Sequence, residues 1–237
     1  MIMSEYFTRS EVLLGISCME ALRAKRVIIF GVGGVGSWAA ECLIRTGLTH
    51  LTLVDGDTVQ PSNTNRQLPA TRETIGMLKV EALKVRLLAI NPEAEIITVP
   101  EMINDAWLQA NGLADYDYVI DAIDNVNDKV DLILYATRVR GLKIFSSMGA
   151  ALRFDPTQVT TGELMTIKGD ALAKAVRTRM KKLQLKPYKK VRCIYSTEQA
   201  QRCEARGSLM QVTTVFGCTL ASLVIDDIRK ATQKNAE

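Results

Sequence analysis

A glycine-rich segment at residues 31–36 has the spacing of a phosphate-binding turn. Its letters, GVGGVG, match the pattern G-x-G-x-x-G and lie between an apolar run at 27–32 and a helical pattern at 35–46. Glycine permits the tight turn and lets backbone N–H groups approach a phosphate at the positive end of a helix. The first candidates for a nucleotide site are therefore Gly31, Gly33, Gly34 and Gly36.

An aspartate follows the second predicted strand, at the position where nucleotide-binding turns of this kind have a carboxylate. Asp55 lies 19 residues after Gly36, directly behind a second apolar run at 51–54. A carboxylate at the end of the second strand can accept hydrogen bonds from the hydroxyls of a ribose. Together the turn and Asp55 predict a nucleotide, and NAD, FAD and ATP all remain open at this point.

A long polar segment, 56–76, separates this strand from the next predicted helix, and loops of this length are usually functional or disordered. An enzyme that transfers an adenylyl group must hold a triphosphate and stabilise the charge that builds on the leaving pyrophosphate, which calls for Arg, Lys and a metal. Hydride transfer would leave these cations without a task. The candidates in and after the loop are Asp57, Asn63, Asn65, Arg66, Gln67 and Lys79, with Arg66 and Lys79 as catalytic cations.

The segment DAIDN at 121–125 places two carboxylates behind a predicted strand at 118–121. Ligands of parallel sheets bind outside the carboxyl ends of the strands, where a carboxylate can hold Mg²⁺ bridging phosphate oxygens. We assign Asp121, Asp124 and Asn125 to the nucleotide site and Asp124 to the metal and to catalysis. Two alternatives stay open: Asp121 could only cap the next helix, and Arg66 could only pair with a surface acid.

The elements that must position these residues alternate between strand and helix. Apolar runs predict strands at 27–32, 51–54, 96–99, 118–121 and 143–146, and helical patterns fall at 35–46, 79–90, 106–113 and 126–140. This alternation predicts an α/β fold, a doubly wound, Rossmann-like and mostly parallel sheet with helices on both faces.

The spacing of strands and helices changes after residue 150. Strands are predicted at 158–161 and 191–195, and helices at 170–183 and 213–231. No linker separates this segment, so we expect this C-terminal β/α segment to extend the same sheet. We expect one domain over 1–237, with an ATP-binding part at 1–150 and a basic extension at 151–237.

Charge is distributed unevenly along the chain. The net charge of +4 divides into −4 over residues 1–150 and +8 over 151–237. Nine cations and no acid lie between residues 174 and 192, and they repel one another unless an anion is near. We predict a polyanionic partner, with RNA favoured over a solvated basic loop. The predicted RNA contacts are Lys181, Lys182, Lys189, Lys190 and Arg192.

Composition excludes several other classes of protein. With 47% hydrophobic and 24% charged residues, the chain is neither disordered nor fibrous. Five scattered cysteines, without Cys-x-x-Cys spacing, and the single His50 disfavour a structural zinc site. No apolar run opens the chain, so we expect a cytoplasmic protein. The uncharged stretch 207–225 contains six Ser, Thr and Gln residues, which favours a buried closing helix over membrane contact.

Taken together, these motifs resemble the ubiquitin-activating-enzyme-like superfamily, which includes the adenylating enzymes of thiamine and molybdopterin synthesis. The resemblance is carried by GVGGVGS at 31–37, DGD at 55–57, SNTNRQ at 62–67, Gly76-x-x-Lys79 and DAIDN at 121–125. Further stretches, GGVGSWAAE at 33–41, DPTQ at 155–158 and STE at 196–198, are similar to the tRNA threonylcarbamoyladenosine dehydratases within it.

The resemblance implies a homodimer that uses ATP and Mg²⁺ to adenylate the carboxylate of N6-threonylcarbamoyladenosine beside the tRNA anticodon. The side chain of the modification then closes a ring with net loss of water, and AMP and pyrophosphate are released. It also implies that Asp55 holds the ribose, that Asn63, Arg66 and Lys79 contact phosphates, and that Arg9 reaches ATP from the partner subunit. A sulfur-transfer accessory protein is a further partner that the resemblance admits.

Three other functions remain as alternatives. The protein could adenylate the C-terminus of a ubiquitin-like sulfur carrier, although the zinc-binding cysteine pairs of many such relatives are missing and the extension is basic. It could be a nicotinamide-dependent oxidoreductase, which Asp55 permits, or a non-catalytic nucleotide-binding partner. Cys193 is the candidate for a covalent nucleophile, but intramolecular ring closure needs none, and we favour a buried, inert thiol.

Overall fold

A computed structural model describes residues 5–201, 203–205 and 207–234. Its strands are β1 (Arg26–Phe30), β2 (His50–Val54), β3 (Glu95–Val99), β4 (Tyr118–Asp121), β5 (Lys143–Ser147), β6 (Val159–Glu163) and β7 (Arg192–Ser196). Its α-helices are α1 (Thr8–Leu14), α2 (Ile16–Arg23), α3 (Gly36–Thr46), α4 (Lys79–Ile90), α5 (Asp105–Asn111), α6 (Val126–Ala136), α7 (Ala171–Lys182) and α8 (Met210–Lys234). Short 3-10 turns lie at Glu5–Phe7, Pro61–Asn63 and Pro156–Gln158.

The seven strands form one sheet in the order β3-β2-β1-β4-β5-β7-β6. All neighbours are parallel except β6 and β7, which pair antiparallel. The chain runs outward from β1 to β3 and then returns to place β4 on the other side of β1. Ligands of such sheets bind at this reversal, beyond the carboxyl ends of β1 and β4.

Helices cover both faces of the sheet, as the alternating pattern predicted. On one face, α2, α3, α4 and α8 bury their apolar side chains against Val27 and Ile29 of β1. On the other face, α5, α6 and α7 pack against Ile28 and Phe30 of the same strand. A strand that is buried on both faces explains the continuous apolar run at its position. The predicted fold class is confirmed, and β6 and β7 extend the same sheet.

Most predicted boundaries are close to the observed ones, and the exceptions have local causes. The helix predicted at 126–140 ends at Ala136, and the closing helix starts at Met210, three residues before its prediction. Helices α1 and α2 were not predicted; Gly15 separates them with a positive φ of 80°. Gly47 ends α3 in the left-handed conformation, with a φ of 113°, as expected for a helix-ending glycine.

Helix α8 is the described helix that is long and apolar enough to cross a membrane by length and composition. Half of its most apolar window is buried, and α8 lies so close to α3 that a Cβ on Gly217 would be 2.4 Å from the carbonyl oxygen of Val35. A core helix of this kind meets the same criteria as a membrane span. Its packing therefore follows the buried-helix interpretation of residues 207–225.

Candidate active site

The glycine-rich turn lies at the reversal point between β1 and β4. Only glycine fits two of its positions: a Cβ on Gly36 would be 1.9 Å from the carbonyl oxygen of Gly31, and one on Gly31 would be 2.8 Å from that of Ala122. Gly31 also has a φ of 84°, which disfavours residues with a side chain. The turn is thus packed directly against the loop after β4. It leads into α3, where the amide of Ser37 donates to the carbonyl of Gly33 at 3.2 Å. The N-terminus of this helix carries partial positive charge, which favours an anion.

Asp55 fixes this turn from the end of β2. One carboxylate oxygen accepts a hydrogen bond from the amide of Val32 at 2.8 Å, and the other accepts one from the amide of Asp57 at 2.9 Å. Each carboxylate oxygen has a second lone pair. Asp55 can therefore accept a hydrogen bond from a hydroxyl group while it continues to hold the turn.

The long loop folds over the glycine-rich turn and brings Arg66 and Gln67 against it. A Cβ on Gly34 would be 3.2 Å from Arg66 Cγ, and one on Gly33 would be 3.6 Å from Gln67 Nε2. The Oε1 atom of Gln67 is buried and has no hydrogen-bond partner among the described residues. An unpaired buried acceptor beside a bare glycine turn fits a site that is completed by a polar ligand such as a nucleotide.

Neighbouring groups hold Arg66 in place. Its Nη1 atom donates to the carbonyl of Ser62 at 3.0 Å and to Oδ1 of Asn65 at 2.8 Å, while its own carbonyl accepts from Trp38 Nε1 at 3.1 Å. Asn65 in turn donates to the carbonyl of Ser208 at 2.9 Å. The guanidinium is thereby oriented from one side, and its remaining N–H groups are free to bind phosphate oxygens.

Lys79 begins α4 and is buried, with its ammonium 2.6 Å from a carboxylate oxygen of Asp57. The two residues are also joined through their backbones, because the amide of Lys79 donates to the carbonyl of Asp57 at 3.0 Å. Asp57 is half exposed, and its amide donates to Asp55 at 2.9 Å, which links the pair to the carboxylate that holds the glycine turn. An incoming phosphate would compete for the ammonium with a carboxylate that already holds it in position.

Asp121 has its own buried partner. Its side chain and that of Lys129 are both fully buried, with the ammonium 2.7 Å from Oδ2, and Ser146 Oγ donates to the same oxygen at 2.5 Å. The other oxygen, Oδ1, accepts from the amide of Ile123 at 3.1 Å. The structure therefore gives Asp121 a supporting position under the loop at 122–125 and keeps its carboxylate out of the solvent-facing site.

Asp124 and Asn125 are exposed at the tip of that loop. The side chain of Asn125 caps α6 by accepting from the amides of Asn127 and Asp128 at 2.8 and 3.3 Å. Asp124 makes no ion pair within the described part of the chain. Its carboxylate is thus open to a cation at the edge where the glycine turn lies, which is the requirement for the predicted magnesium ligand.

The remaining predicted nucleotide residues are less directly placed. Asn63 is buried, and its Oδ1 accepts from the amide of Gln60 at 3.0 Å, which shapes the loop. Arg9 is exposed on α1, which contacts α2 and the turn before it. Within one chain, the described contacts do not bring Arg9 to the glycine turn.

The predicted RNA-binding residues lie at the opposite edge of the sheet, around the end of α7 and the start of β7. Lys181, Lys182, Lys190 and Arg192 are exposed there. Lys189 is different: its ammonium donates to the carbonyls of Val139 and Leu142, in the turn before β5. Burial, and to a lesser extent Lys143, lowers the pKa of Lys189. Lys189 is therefore an anchor for this segment.

Two other chemical possibilities have little structural support. Cys193 is fully buried on β7, and burial raises the pKa of its thiol, which keeps it protonated and out of reach of a substrate. Among the described residues, no three His, Cys, Asp or Glu side chains are grouped so that they could hold a metal ion. Asp124 would accordingly be the protein's carboxylate for a magnesium ion, whose other ligands would come from the nucleotide and from water.

Several supporting residues were missed by sequence reasoning. Ser37 belongs to the predicted motif, yet its role appears only in three dimensions, where its hydroxyl accepts from the amide of Leu68 at 3.3 Å. Trp38 and Ser208 hold the loop from α3 and from the segment before α8. For Lys129, a lysine inside an apolar helical pattern was the available indication.

Comparison with known proteins agrees with this geometry. The sequence model of the ThiF family matches residues 7–237. The tRNA threonylcarbamoyladenosine dehydratase of Bacillus subtilis (strain 168) is 39% identical over 196 residues, covering 83% of this chain and 76% of the relative. The enzyme of the same name from Haemophilus influenzae is 34% identical over 232 residues, covering 90% of this chain and 88% of the relative.

Solved structures give the same result. E. coli tRNA N6-threonylcarbamoyladenosine dehydratase in complex with ATP matches with a TM-score of 0.89 and 32% identity, over 99% of each chain. The complex of that enzyme with AMP matches with a TM-score of 0.90 over the whole of both chains. The resemblance inferred from the motifs is confirmed, and the chain belongs to the ThiF family.

Proposed function

We propose that this protein is an ATP-dependent tRNA threonylcarbamoyladenosine dehydratase. The observation that carries the proposal is the convergence of Asp55, Arg66 and the Asp57–Lys79 pair around the glycine-rich turn. This arrangement provides a ribose acceptor and two cations for a triphosphate, which adenylation requires and hydride transfer does not. The match to dehydratases along nearly the whole chain supports the choice of substrate.

In the proposed reaction, a carboxylate oxygen of the modified adenosine attacks the α-phosphorus of ATP, and the bond to the pyrophosphate oxygen breaks. The side chain of the modification then loses a proton as it attacks the activated carbonyl carbon and closes the ring. AMP leaves with one oxygen of the original carboxylate, so the nucleoside loses the elements of water. The protein needs no covalent nucleophile, in agreement with the buried Cys193.

Each site residue has a defined task in this proposal. Arg66 and Lys79 stabilise the negative charge on the leaving pyrophosphate, and Asp55 accepts the ribose hydroxyls. Asp124 would hold Mg²⁺, which supplies charge neutralisation between phosphate oxygens when bound. Asn63, Asn65, Gln67 and Asn125 complete the nucleotide contacts. Asp121 positions the loop of Asp124 from below through its bond to the amide of Ile123.

The protein also acts as a homodimer in this proposal, with Arg9 completing the site of the partner subunit. Support comes from α1, α2 and the turn before them, which expose large apolar side chains next to Arg9; Tyr6, Val12, Leu13 and Ile16 are 88%, 83%, 84% and 61% exposed. An apolar surface of this kind marks an interaction site. We place the enzyme in the cytoplasm, where tRNA and ATP are available.

Mixing two inactive variants tests the dimer directly. We expect Arg9→Ala and Lys79→Ala each to be inactive alone, and activity to return when they are mixed and allowed to exchange subunits. One site of the mixed dimer then has both residues intact. If the mixture stays inactive although native mass spectrometry detects the mixed dimer, Arg9 does not act across the interface.

The function itself is tested by mass analysis of nucleosides from modified tRNA incubated with the protein and MgATP. We expect threonylcarbamoyladenosine to lose the mass of one water with equal release of AMP, and Asp124→Ala to prevent both. An unchanged nucleoside, together with pyrophosphate exchange that depends on a carrier protein ending in Gly-Gly, would instead establish the carrier-activating alternative. The molybdopterin-synthase adenylyltransferase of E. coli matches only 45% of this chain, which argues against that outcome.

A further inference from the structure

An open groove of about 540 Å³ lies between the first turn of α6 and one face of α7. Its lining comprises Asn127 from α6 and, from α7, Ala171, Lys174, Ala175, Thr178, Arg179 and Lys182. The α7 residues follow helical spacing and so form one continuous stripe along that helix. The groove is separate from the glycine turn and from the long loop.

The groove connects the two edges of the sheet. It begins beside Asn127, three residues after Asp124, and beside Ala171, whose preceding residue Asp170 accepts from the amide of Gly149 behind β5. It ends at Lys182, where the exposed basic segment starts. Helix α7 has 12 residues and is therefore about 18 Å long, enough for several phosphates of a nucleic acid strand.

The charges along the groove are available to a ligand. Lys174 and Lys182 are exposed and make no ion pair with the described residues. Arg179 faces Asp131 on α6: burial and the neighbouring Asp105 and Asp128 raise the pKa of the Asp131 carboxyl, and Arg179 opposes that rise. Two unpaired ammonium groups thus lie at opposite ends of the groove, with a partly compensated guanidinium between them.

Between the cations, the lining suits a sugar–phosphate backbone. The methyl groups of Ala171 and Ala175 leave room at the floor. The Thr178 hydroxyl donates to the carbonyl of Lys174 at 2.8 Å and so offers an acceptor, whereas the Asn127 amide offers neutral donors. Phosphate oxygens are bound by lysines and by such neutral donors, and a ribose 2′-hydroxyl can both donate and accept. An acidic peptide would use the same cations, so a polyglutamate peptide is the competing ligand in the binding test.

We propose that the groove between α6 and α7 binds the RNA backbone next to the modified nucleoside and leads it from the loop of Asp124 to the basic surface beyond Lys182. The proposal rests on the proposed function for the identity of the RNA. It adds a path: the nucleoside enters at the carboxyl edge of the sheet, and the flanking strand runs along α7 to the opposite edge.

The test measures binding of a synthetic, unmodified anticodon stem-loop RNA by fluorescence anisotropy, so that no catalysis is needed. We expect Lys174→Ala/Lys182→Ala to weaken binding roughly tenfold and to reduce the slope of log affinity against log salt by about 1.5. Lys84→Ala/Lys234→Ala, on α4 and α8, removes the same charge elsewhere and should leave both values unchanged. Thermal unfolding and ATP binding of all variants should match the wild type.

A second pair of variants tests the groove independently of its lysines. Ala175→Glu places a carboxylate in the lining and should weaken binding more than tenfold, whereas Ser222→Glu on the exposed side of α8 should not. Wild-type RNA affinity in both groove variants would overturn the proposal. So would a loss of binding that affects a polyglutamate peptide and spares the RNA.

Failure of this proposal is distinguishable from failure of the proposed function. If the protein does not dehydrate the nucleoside but the groove variants lose RNA affinity, the function is wrong and the groove remains an RNA site. If dehydration proceeds and the groove variants keep the wild-type KM for tRNA, the groove proposal alone is wrong.

Discussion

Cationic side chains are paired with carboxylates in one region of this molecule and unpaired in another. At and beneath the carboxyl edge of the sheet, buried cations have a carboxylate at bonding distance; the pairs are Lys79–Asp57 at 2.6 Å, Lys129–Asp121 at 2.7 Å and Arg153–Asp170 at 3.1 Å. Along α7 and the segment after it, Lys174, Lys181, Lys182 and Lys190 are exposed and make no ion pair within the described residues.

The difference corresponds to two tasks. Groups that stabilise a developing charge act best when their positions are fixed before the substrate arrives. A paired carboxylate fixes such a cation but neutralises part of its charge. A surface that attracts a long polyanion works through unpaired cations, whose counterions are released on binding. Pairing therefore distinguishes the buried cations at and beneath the carboxyl edge from the exposed cations of the basic segment.

The strongest test of this separation is Lys129→Met, which removes a fully buried charge and leaves its carboxylate partner in the core. We expect the free energy of unfolding to fall by about 3–5 kcal/mol in urea titrations, because Asp121 stays buried without its cation. The double variant Lys129→Met/Asp121→Asn should recover part of the loss.

Lys143→Met is the matched control for this variant. Its ammonium also contacts one aspartate, Asp227, at 2.5 Å, but half of the Lys143 side chain is exposed. A solvent-exposed pair is worth less than about 1 kcal/mol. Equal losses of unfolding free energy in the two lysine variants would show that the buried pair contributes no more to stability than the exposed pair.

The next largest effect concerns catalysis. Lys79→Ala should lower kcat/KM for ATP by about 10²–10³-fold in the pyrophosphate-release assay, because the proposed mechanism loses the cation that stabilises the leaving pyrophosphate. Lys84→Ala, in the next turns of the same helix, should have little effect. A Lys79→Ala enzyme with near wild-type activity would remove the ammonium from the proposed mechanism.

The parts of the site that sequence reasoning predicted are those encoded locally. The glycine turn and Asp55 follow from short motifs, because a β-strand, a tight turn and a helix each leave a recognisable pattern over a few residues. The placement of Lys129 does not. Its partners are Asp121 at the end of β4 and Ser146 on the neighbouring strand, and only the packed sheet brings the three together.

Two other differences have the same origin. Helix α1 exposes Val12 and Leu13 and so shows no amphipathic pattern. Helix α2 buries Cys18, Met19 and Leu22 on one face, but its eight residues after Gly15 are too few for the periodicity to indicate a helix. Lys189 was predicted to contact RNA like its neighbours, because charge alone does not reveal that its ammonium binds two backbone carbonyls. Local sequence thus predicted the elements and the nucleotide motifs, whereas contacts between distant segments decided which charges are available.

Salt dependence provides a further test of the unpaired region. Raising monovalent salt from about 50 to about 200 mM should weaken tRNA binding about 50- to 100-fold for roughly four phosphate contacts, while the KM for ATP changes far less. The single variants Lys181→Ala and Lys190→Ala should each reduce the salt slope by about 0.8. Lys189→Ala should change that slope less than either, because its ammonium is held by carbonyls. Equal slopes for all three lysines would contradict the distinction.

The smallest predicted effect concerns Asn125, where a contribution to stability can be separated from a contribution to nucleotide binding. Asn125 caps α6 with its side chain and is also assigned to the nucleotide site. Asn125→Ala should lower the free energy of unfolding by about 1 kcal/mol, the typical value for a lost N-cap.

Asn125→Ser restores a capping oxygen but not the amide that would reach the nucleotide. Loss of that amide should raise the KM for ATP of the alanine variant. We expect the serine variant to keep this raised KM while it regains the stability of the wild type in urea titrations. Recovery of both quantities would mean that Asn125 serves only to begin α6. In that case the nucleotide contacts of this loop would belong to Asp124 alone.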